Sequence, residues 1–399
     1  MNALVIAAVL ASLSTVDASH GVETRLHVGI PSVCVSPRTG RLWATWYAGP
    51  SKGEDLNNYC VLATSADRGR SWREVLVADP DGTGPVRAFD PNVWISPSGK
   101  LCWTWSERIC PPCKSGDMYT GTNADPKNDR LLLAELDAEA EPSAPYPEAR
   151  RIGRGVMMNK PIFPDGGKLW LLPVAHWYEA PSACFLASED GGVTFVERGS
   201  GITLPKKHRQ FDEHQAVELG DGRLMCYLRG TGGLTLSKSY SSNRGESWSD
   251  PEDAKLGHPS TRFSLTRLKS GRLLLIKHGK IGETTRKRSH LRAFVSRNDG
   301  KTWEGGLLLD EREGVSYPDA CQLADGTIVV VYDYNRVSDR QIQLVLFSER
   351  DVLAEAVVKK GVGERHVVSS PTMTLAEGKV SFLSCQPLQY RDMVGKIGF

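Results

Sequence analysis

The sequence predicts an all-β chain folded as a six-bladed β-propeller of four-stranded antiparallel blades. Three observations predict it. An eight-residue turn pattern recurs four times, a glycine-centred hairpin recurs seven times, and helical periodicity is nearly absent. The turn pattern reads Ser-x-Asp/Asn-x-Gly-x-Ser/Thr-aromatic. Its copies run Ser65 to Trp72, Ser188 to Phe195, Ser241 to Trp248 and Ser296 to Trp303. The starts lie 123, 53 and 55 residues apart. The first gap is two periods long, so one copy is expected to have decayed near Leu131 to Ala140.

Each part of the period has its own physical reason. In the turn, the Asp or Asn side chain accepts from backbone ahead of it, glycine takes the positive φ, and the aromatic packs back over the hairpin. Apolar strands precede the turns, as in Tyr59 to Ala63, Ala183 to Leu186 and Leu291 to Val295. The second signal is a strand–turn–strand hairpin centred on Gly40, Gly99, Gly167, Gly222, Gly271, Gly326 and Gly378. A basic or polar residue follows each, then Leu, Ile or Val. A hairpin, a third strand, a turn and a fourth strand per 50–60 residues make one propeller blade. Six units fill Ile30 to about Lys360. The hairpin near Gly378 starts another blade or completes the last, which leaves seven blades as the alternative, with a short N-terminal strand closing the ring against it. Ala138 to Pro147 reads as a loop and no linker divides the chain, so residues 19–399 form a single domain.

Composition bounds the function. The 399 residues are 40% hydrophobic and 24% charged, with 49 Lys and Arg against 47 Asp and Glu. A net charge of +2 excludes a strongly basic nucleic-acid binder and an acidic disordered chain. No stretch reaches the ~18 apolar residues of a membrane helix. The run Ala3 to Leu13, followed by Val16-Asp17-Ala18, resembles a secretory signal without a leading Lys or Arg. Residues 1–18 therefore read as a signal segment of a secreted or periplasmic protein, or as a buried first strand of a cytoplasmic one. Of nine cysteines, Cys34, Cys60, Cys102, Cys226 and Cys321 lie in strand-like segments as small buried hydrophobes. Cys110 and Cys113 form a lone CxxC, which fits a disulfide or a loop better than zinc. No metal motif and no nucleotide-binding GxGxxG is present, so no cofactor is expected.

The four turns are Asp-boxes, and with the blade size and order they make the chain resemble the sialidase (neuraminidase) superfamily of six-bladed propellers. The resemblance spans Val28 to about Leu353. It implies an exo-acting, retaining glycoside hydrolase that removes a terminal α-linked sialic acid or a related acidic sugar from glycans. Asp-boxes occur in other proteins too and sit on the far rim, so the function rests on the site. In the family, a segment like Asp212-Glu213-His214-Gln215-Ala216-Val217-Glu218-Leu219 carries the catalytic glutamate, here Glu213. The hairpin after it ends in a carboxylate-binding arginine, here Arg229. Arg288 leads into the fourth box as the family's next arginine does, and Tyr317 falls on the tyrosine nucleophile. A neutral hydroxyl suits an anomeric carbon that carries a carboxylate, where a charged nucleophile would be repelled. Tyrosine needs a base, Glu213. The acid that protonates the leaving oxygen falls on Glu54 or Asp55, with Glu54 favoured.

One departure bears on substrate. The family's first of three arginines falls on Gly29, in Val28-Gly29-Ile30-Pro31. Arg25 or Arg87 would have to substitute, or the substrate is another acidic sugar. Asp90 begins the second blade at the same strand end as Tyr317 and joins the substrate-binding set with His214, Gln215 and Trp177, the last as a stacking ring after His176. The basic stretches Lys206 to Arg209 and Arg286 to Arg292 would attract an anionic glycan. Two other readings use the same residues. A propeller lyase on uronic-acid glycans would pair His214 with Tyr317 and neutralise the uronate with Arg229. A glycan-binding propeller would bind without turnover.

Overall fold

Among the described residues twenty-four strands form six separate antiparallel sheets arranged as a ring. The computed structural model describes residues 13–109, 129–177, 179–209, 211–231, 235–285, 287–358 and 365–371. Blade 1 holds β1 (Leu13–Ser14), β2 (His27–Val35), β3 (Leu42–Gly49), β4 (Tyr59–Ser65) and β5 (Arg73–Ala78). Blade 2 holds β6 (Val86–Ile95), β7 (Leu101–Ile109), β8 (Arg130–Leu136) and β9 (Arg150–Gly153). Blade 3 holds β10 (Trp170–Ala175), β11 (Ala183–Ser188) and β12 (Val196–Ile202). Blade 4 holds β13 (His214–Glu218), β14 (Leu224–Leu228), β15 (Thr235–Ser241) and β16 (Glu252–Gly257). Blade 5 holds β17 (Ser264–Arg267), β18 (Leu273–His278), β19 (Leu291–Ser296) and β20 (Glu304–Asp310). Blade 6 holds β21 (Val315–Gln322), β22 (Ile328–Tyr334), β23 (Gln341–Phe347) and β24 (Arg365–Ser369).

Six blades are thus complete by Ser369. The Gly378 hairpin and the Cys110–Cys113 pair lie outside the described residues. Cys34, Cys60, Cys102 and Cys226 are buried free thiols, and Cys321 is a half-buried one, as expected of small core hydrophobes. Among the described residues the one α-helix is α1 (Glu349–Ala354). Ser348 caps it through a reciprocal capping box with Asp351, where the other blades have a turn.

The Asp-boxes join the third and fourth strands of blades 1, 3, 4 and 5. In the first, Asp67 accepts from Ser65 Oγ at 2.8 Å, the Ser71 amide at 2.8 Å and Ser71 Oγ at 2.6 Å. The aromatic Trp72 folds back to donate to the Gly69 carbonyl at 3.1 Å. Gly69 has φ +85°, and Arg68 before it is also left-handed at φ 65°. Arg244 and Asp299 repeat this in two further boxes. In blade 2 the decayed copy survives as Asp137, which accepts from the Glu139 amide.

Two elements differ from the expectation. The N-terminal strand does not close the ring: β1 adds to the outside of blade 1, with Leu13 opposite Ala78. The seam between blades 1 and 6 is closed instead by packing, with Leu42, Ala44 and Trp46 of blade 1 against Val329, Val331 and Leu344 of blade 6. Blade 3 lacks a regular inner strand. Its place is taken by a segment bridged to β10 at Val156 and Ile162. Pro161 in that segment has no N–H to give a ladder.

The middle of the ring is tied by two cations. Arg262 of blade 5 donates to the carbonyls of Met158, Pro31 and Tyr317. Lys160 of blade 3 donates to Asp319 Oδ2 and to the carbonyls of Val33 and Ala320. Each replaces backbone partners that the inner strands lack across the gap between blades.

Candidate active site

Antiparallel order sends the first-to-second and third-to-fourth connections to one face, and the second-to-third and fourth-to-next connections to the other. The glycine hairpins and Asp-boxes share the first face, where Arg68 of one box pairs with Asp325 of the neighbouring hairpin at 2.7 Å. The other face begins every inner strand, and there blades 1, 2 and 6 share one device. Each inner strand has a bulge, with register shifts at Gly29/Ser32, Phe89/Asn92 and Ser316/Asp319. Each bulge holds a left-handed residue before proline: Ile30 at φ 55°, Asp90 at φ 50° and Tyr317 at φ 53°. Such residues cost of order 1–3 kcal/mol each and persist where surroundings over-determine them. The residues after proline supply part of that support. Ser32 donates to Asp319 Oδ2 at 2.7 Å and to Asn92 Oδ1 at 3.1 Å, joining the three blades.

The bulge aims Tyr317 at the end of blade 4. Its hydroxyl donates to Glu213 Oε1 at 3.0 Å. Arg229 Nη1 donates to the Tyr317 oxygen at 3.1 Å and also to Glu213 Oε1. All three side chains are buried. Burial, and then the Glu213 charge, push the phenol above its ordinary pKa, against the pull of Arg229, Arg288 and Arg336. The tyrosine is therefore neutral at rest, with the Glu213 carboxylate in hydrogen-bond range of its proton. Glu213 Oε2 has no hydrogen-bond partner among the described residues.

Other expected residues surround this trio. The Arg288 guanidinium lies 5.3 Å from the Tyr317 ring centroid and donates to the Ser260 carbonyl at 3.0 Å. Glu54, on the connection after β3, has its side chain 38% exposed, with Arg87 at 3.6 Å and Arg336 at 3.7 Å. Burial would raise its pKa, but those two cations outweigh it and hold Glu54 below the usual carboxylate value. Asp90 takes the opposite course. Burial, helped by the Glu54 charge, pushes it up to about 7, and its Oδ1 has no partner among the described residues. Of this carboxyl pair, Asp90 keeps the proton.

The remaining expected residues face elsewhere. Asp55 accepts from the Asn57 amide within its loop. The His214 ring makes its contact with the Cys184 carbonyl at 2.8 Å and packs edge-on against Phe185. Burial lowers its pKa to about 4. Gln215 Oε1 accepts from the Leu265 amide, tying blade 4 to blade 5. Trp177 packs among Phe89 and Phe211 with 8% exposure, and His176 pairs with Glu197. Arg25 forks onto Glu74 and touches Tyr59 on the outer strands of blade 1, so it does not reach the site. Arg87 does border it, stacked 4.2 Å from the Phe89 centroid.

The sequence reading missed Arg336. It follows β22, and its guanidinium lies 4.1 Å from the Tyr317 ring centroid. Asp333 accepts from its Nε at 2.9 Å and also from the Ile30 amide and Ser316 Oγ. A cavity of about 520 Å³ opens beside it, lined by Lys52, Arg288, Ser316, Asn335, Arg336 and Val337. The available signal was Gly29 itself, a missing cation that some other strand end had to supply. Among the described residues no cluster of three or more His, Cys, Asp or Glu is arranged to hold a metal, and no helix is long and apolar enough to cross a membrane.

Comparison with known proteins agrees with this architecture. The BNR repeat-like domain family matches residues 145–330. No curated protein sequence is significantly similar. Among solved structures, the intramolecular trans-sialidase from Ruminococcus gnavus superposes with a TM-score of 0.63 at 15% identity, covering 84% of this chain and 97% of that one. A Hadza microbial sialidase gives 0.66 at 18% identity, covering 84% and 69%. A protein of unknown function from Dyadobacter fermentans gives 0.60 at 19% identity, covering 82% and 94%. The chain is a six-bladed β-propeller, and its fold is similar to that of these sialidase structures.

Proposed function

We propose that the protein is a retaining exo-glycosidase of sialidase type, acting on a terminal α-linked sialic acid or a related acidic sugar. The observation that carries this reading is the buried contact from the Tyr317 hydroxyl to Glu213 Oε1. It supplies a neutral nucleophile with its base already in hydrogen-bond range. As the Tyr317 oxygen bonds the anomeric carbon, its proton passes to Glu213 and the glycosidic bond breaks. Glu54, at the mouth, protonates the leaving oxygen. Water then attacks the anomeric carbon, giving a proton to Glu54 as the bond to the Tyr317 oxygen breaks, and Glu213 returns the first proton to Tyr317. Arg229 holds the nucleophile and its base in register. In the free site Glu54 is ionised, so it takes up its proton as a bound anion shields it from Arg336. A lyase is less well supported, because His214, its base, contacts Cys184 rather than Tyr317.

The test is release of 4-methylumbelliferone from its α-sialoside by wild type, Tyr317→Phe and Glu213→Gln. Wild-type turnover falling by at least ~1,000-fold in both variants, with thermal unfolding little changed, supports the reading. A Tyr317→Phe enzyme as active as wild type removes tyrosine from the mechanism.

A further inference from the structure

We infer that Arg336 and Arg288 form a built carboxylate site, and that position 29 is glycine because Arg336 fills its space. This deepens the glycosidase reading and rests on it for the placement of the ligand's acid group next to the carbon that Tyr317 attacks. A Cβ added at Gly29 would lie 2.8 Å from Arg336 Cδ and 2.9 Å from its Cγ and Nε. A side chain from blade 1 would therefore displace this arginine of blade 6 from its present position. The cation comes from blade 6 at a site where the resemblance places one on blade 1.

Three observations make the pair a receptor for an anion. Arg336 is oriented from behind by Asp333 through Nε, while its buried Nη2 has no hydrogen-bond partner among the described residues. Arg288 has no carboxylate within ion-pair distance among the described residues, and its guanidinium donates to a neutral carbonyl. Burial, with Arg336 and Arg229 nearby, pushes its pKa down, the condition of a cation that lacks its counter-ion. Both line the same cavity as Lys52. A planar carboxylate accepts in-plane N–H donors from guanidinium groups, and a sugar hydroxyl cannot neutralise two of them.

The experiment measures binding by calorimetry, so it does not depend on turnover. The probes are 2-deoxy-2,3-didehydro-N-acetylneuraminic acid, glucuronic acid, and the methyl ester of each. Wild type should bind one acid at least ~10-fold more tightly than its ester. Arg336→Gln should lose about 10- to 100-fold, the scale of a lost charge-assisted contact. Arg336→Lys, which keeps the charge without the fork, should fall between. Gly29→Arg alone should weaken binding through collision, and the exchange Gly29→Arg with Arg336→Gly should regain most of it. Equal binding of acid and ester, unchanged affinity in Arg336→Gln, or no binding of either acid to wild type overturns the inference. Arg336-dependent binding without any glycoside turnover upholds the site and overturns the glycosidase reading. Turnover with normal KM in Arg336→Gln does the reverse.

Discussion

The two faces of this propeller are held by opposite kinds of contact. On the Asp-box face, the bonds that shape each turn run between residues two to four apart, as in Ser65, Asp67, Gly69 and Ser71. On the other face, Tyr317 meets Glu213 at a separation of 104 residues and Ile30 meets Asp333 at 303. Local contacts make a face that repeats and stands without a full box in two blades, 2 and 6. Long-range contacts make a face whose Tyr317–Glu213–Arg229 site is assembled once, from two different blades.

Three substitutions sharpen that contrast. The largest effect is expected at Arg262, whose replacement by Met orphans three buried carbonyls. It should cost about 3–5 kcal/mol in denaturant unfolding. A loss below ~1 kcal/mol would show that the blades close without it.

Asp90→Asn comes next and has a pH signature. The folded carboxyl sits near 7 against an ordinary 3.8, so the native state holds a proton the unfolded chain gives up. Wild-type stability is therefore complete below about pH 4 and drains away as pH rises toward 7, by at most about 1.4 kcal/mol per unit. The variant should lack this slope, so its Tm should gain on wild type between pH 4 and 8. Parallel pH curves would place the proton elsewhere.

The smallest effect is in a single box. Asp67→Ala should cost about 1–2 kcal/mol and leave activity per folded molecule unchanged. Asp67→Asn should cost less than ~0.5 kcal/mol, because Asn243 and Asn298 already serve in the same position and donate to Ser247 and Thr302. Hydrogen bonds to Ser71 hold the Asp67 pKa down against burial. Its advantage over Ala is thus present above about pH 4 and fades below it. An equal cost for Ala and Asn would mean that the charge, not the bonding pattern, shapes the turn.

The same contrast explains what was legible in the sequence. The boxes and hairpins were readable because eight residues contain the whole reason for each turn. The blade order followed from their phase. The meeting of Tyr317 with Glu213 has no local cause, and only the resemblance to a family brought them together. The destination of β1 was not legible, since two residues carry no register information. The broken inner strand of blade 3 had a visible cause in Pro161 but no visible consequence. Arg336 was missed because a strand-end arginine looks like any solvated charge until the space at Gly29 is known to be full.

The seam between blades 1 and 6 has a consequence for how the molecule would fail. Among the described residues no strand of one blade is shared with the other, so the joint is a clasp rather than a weld. The groups of the candidate site are part of the clasp. The Arg336 carbonyl accepts from Val28 across it at 3.0 Å, Asp333 holds Ile30, and Asp319 holds Ser32 and Val33. A gap opening there would draw the arginine from its niche and release Tyr317 from its forced backbone while all six sheets kept their ladders. The geometry of the proposed site is thus a reporter of ring closure, and it would be lost before the fold unravels.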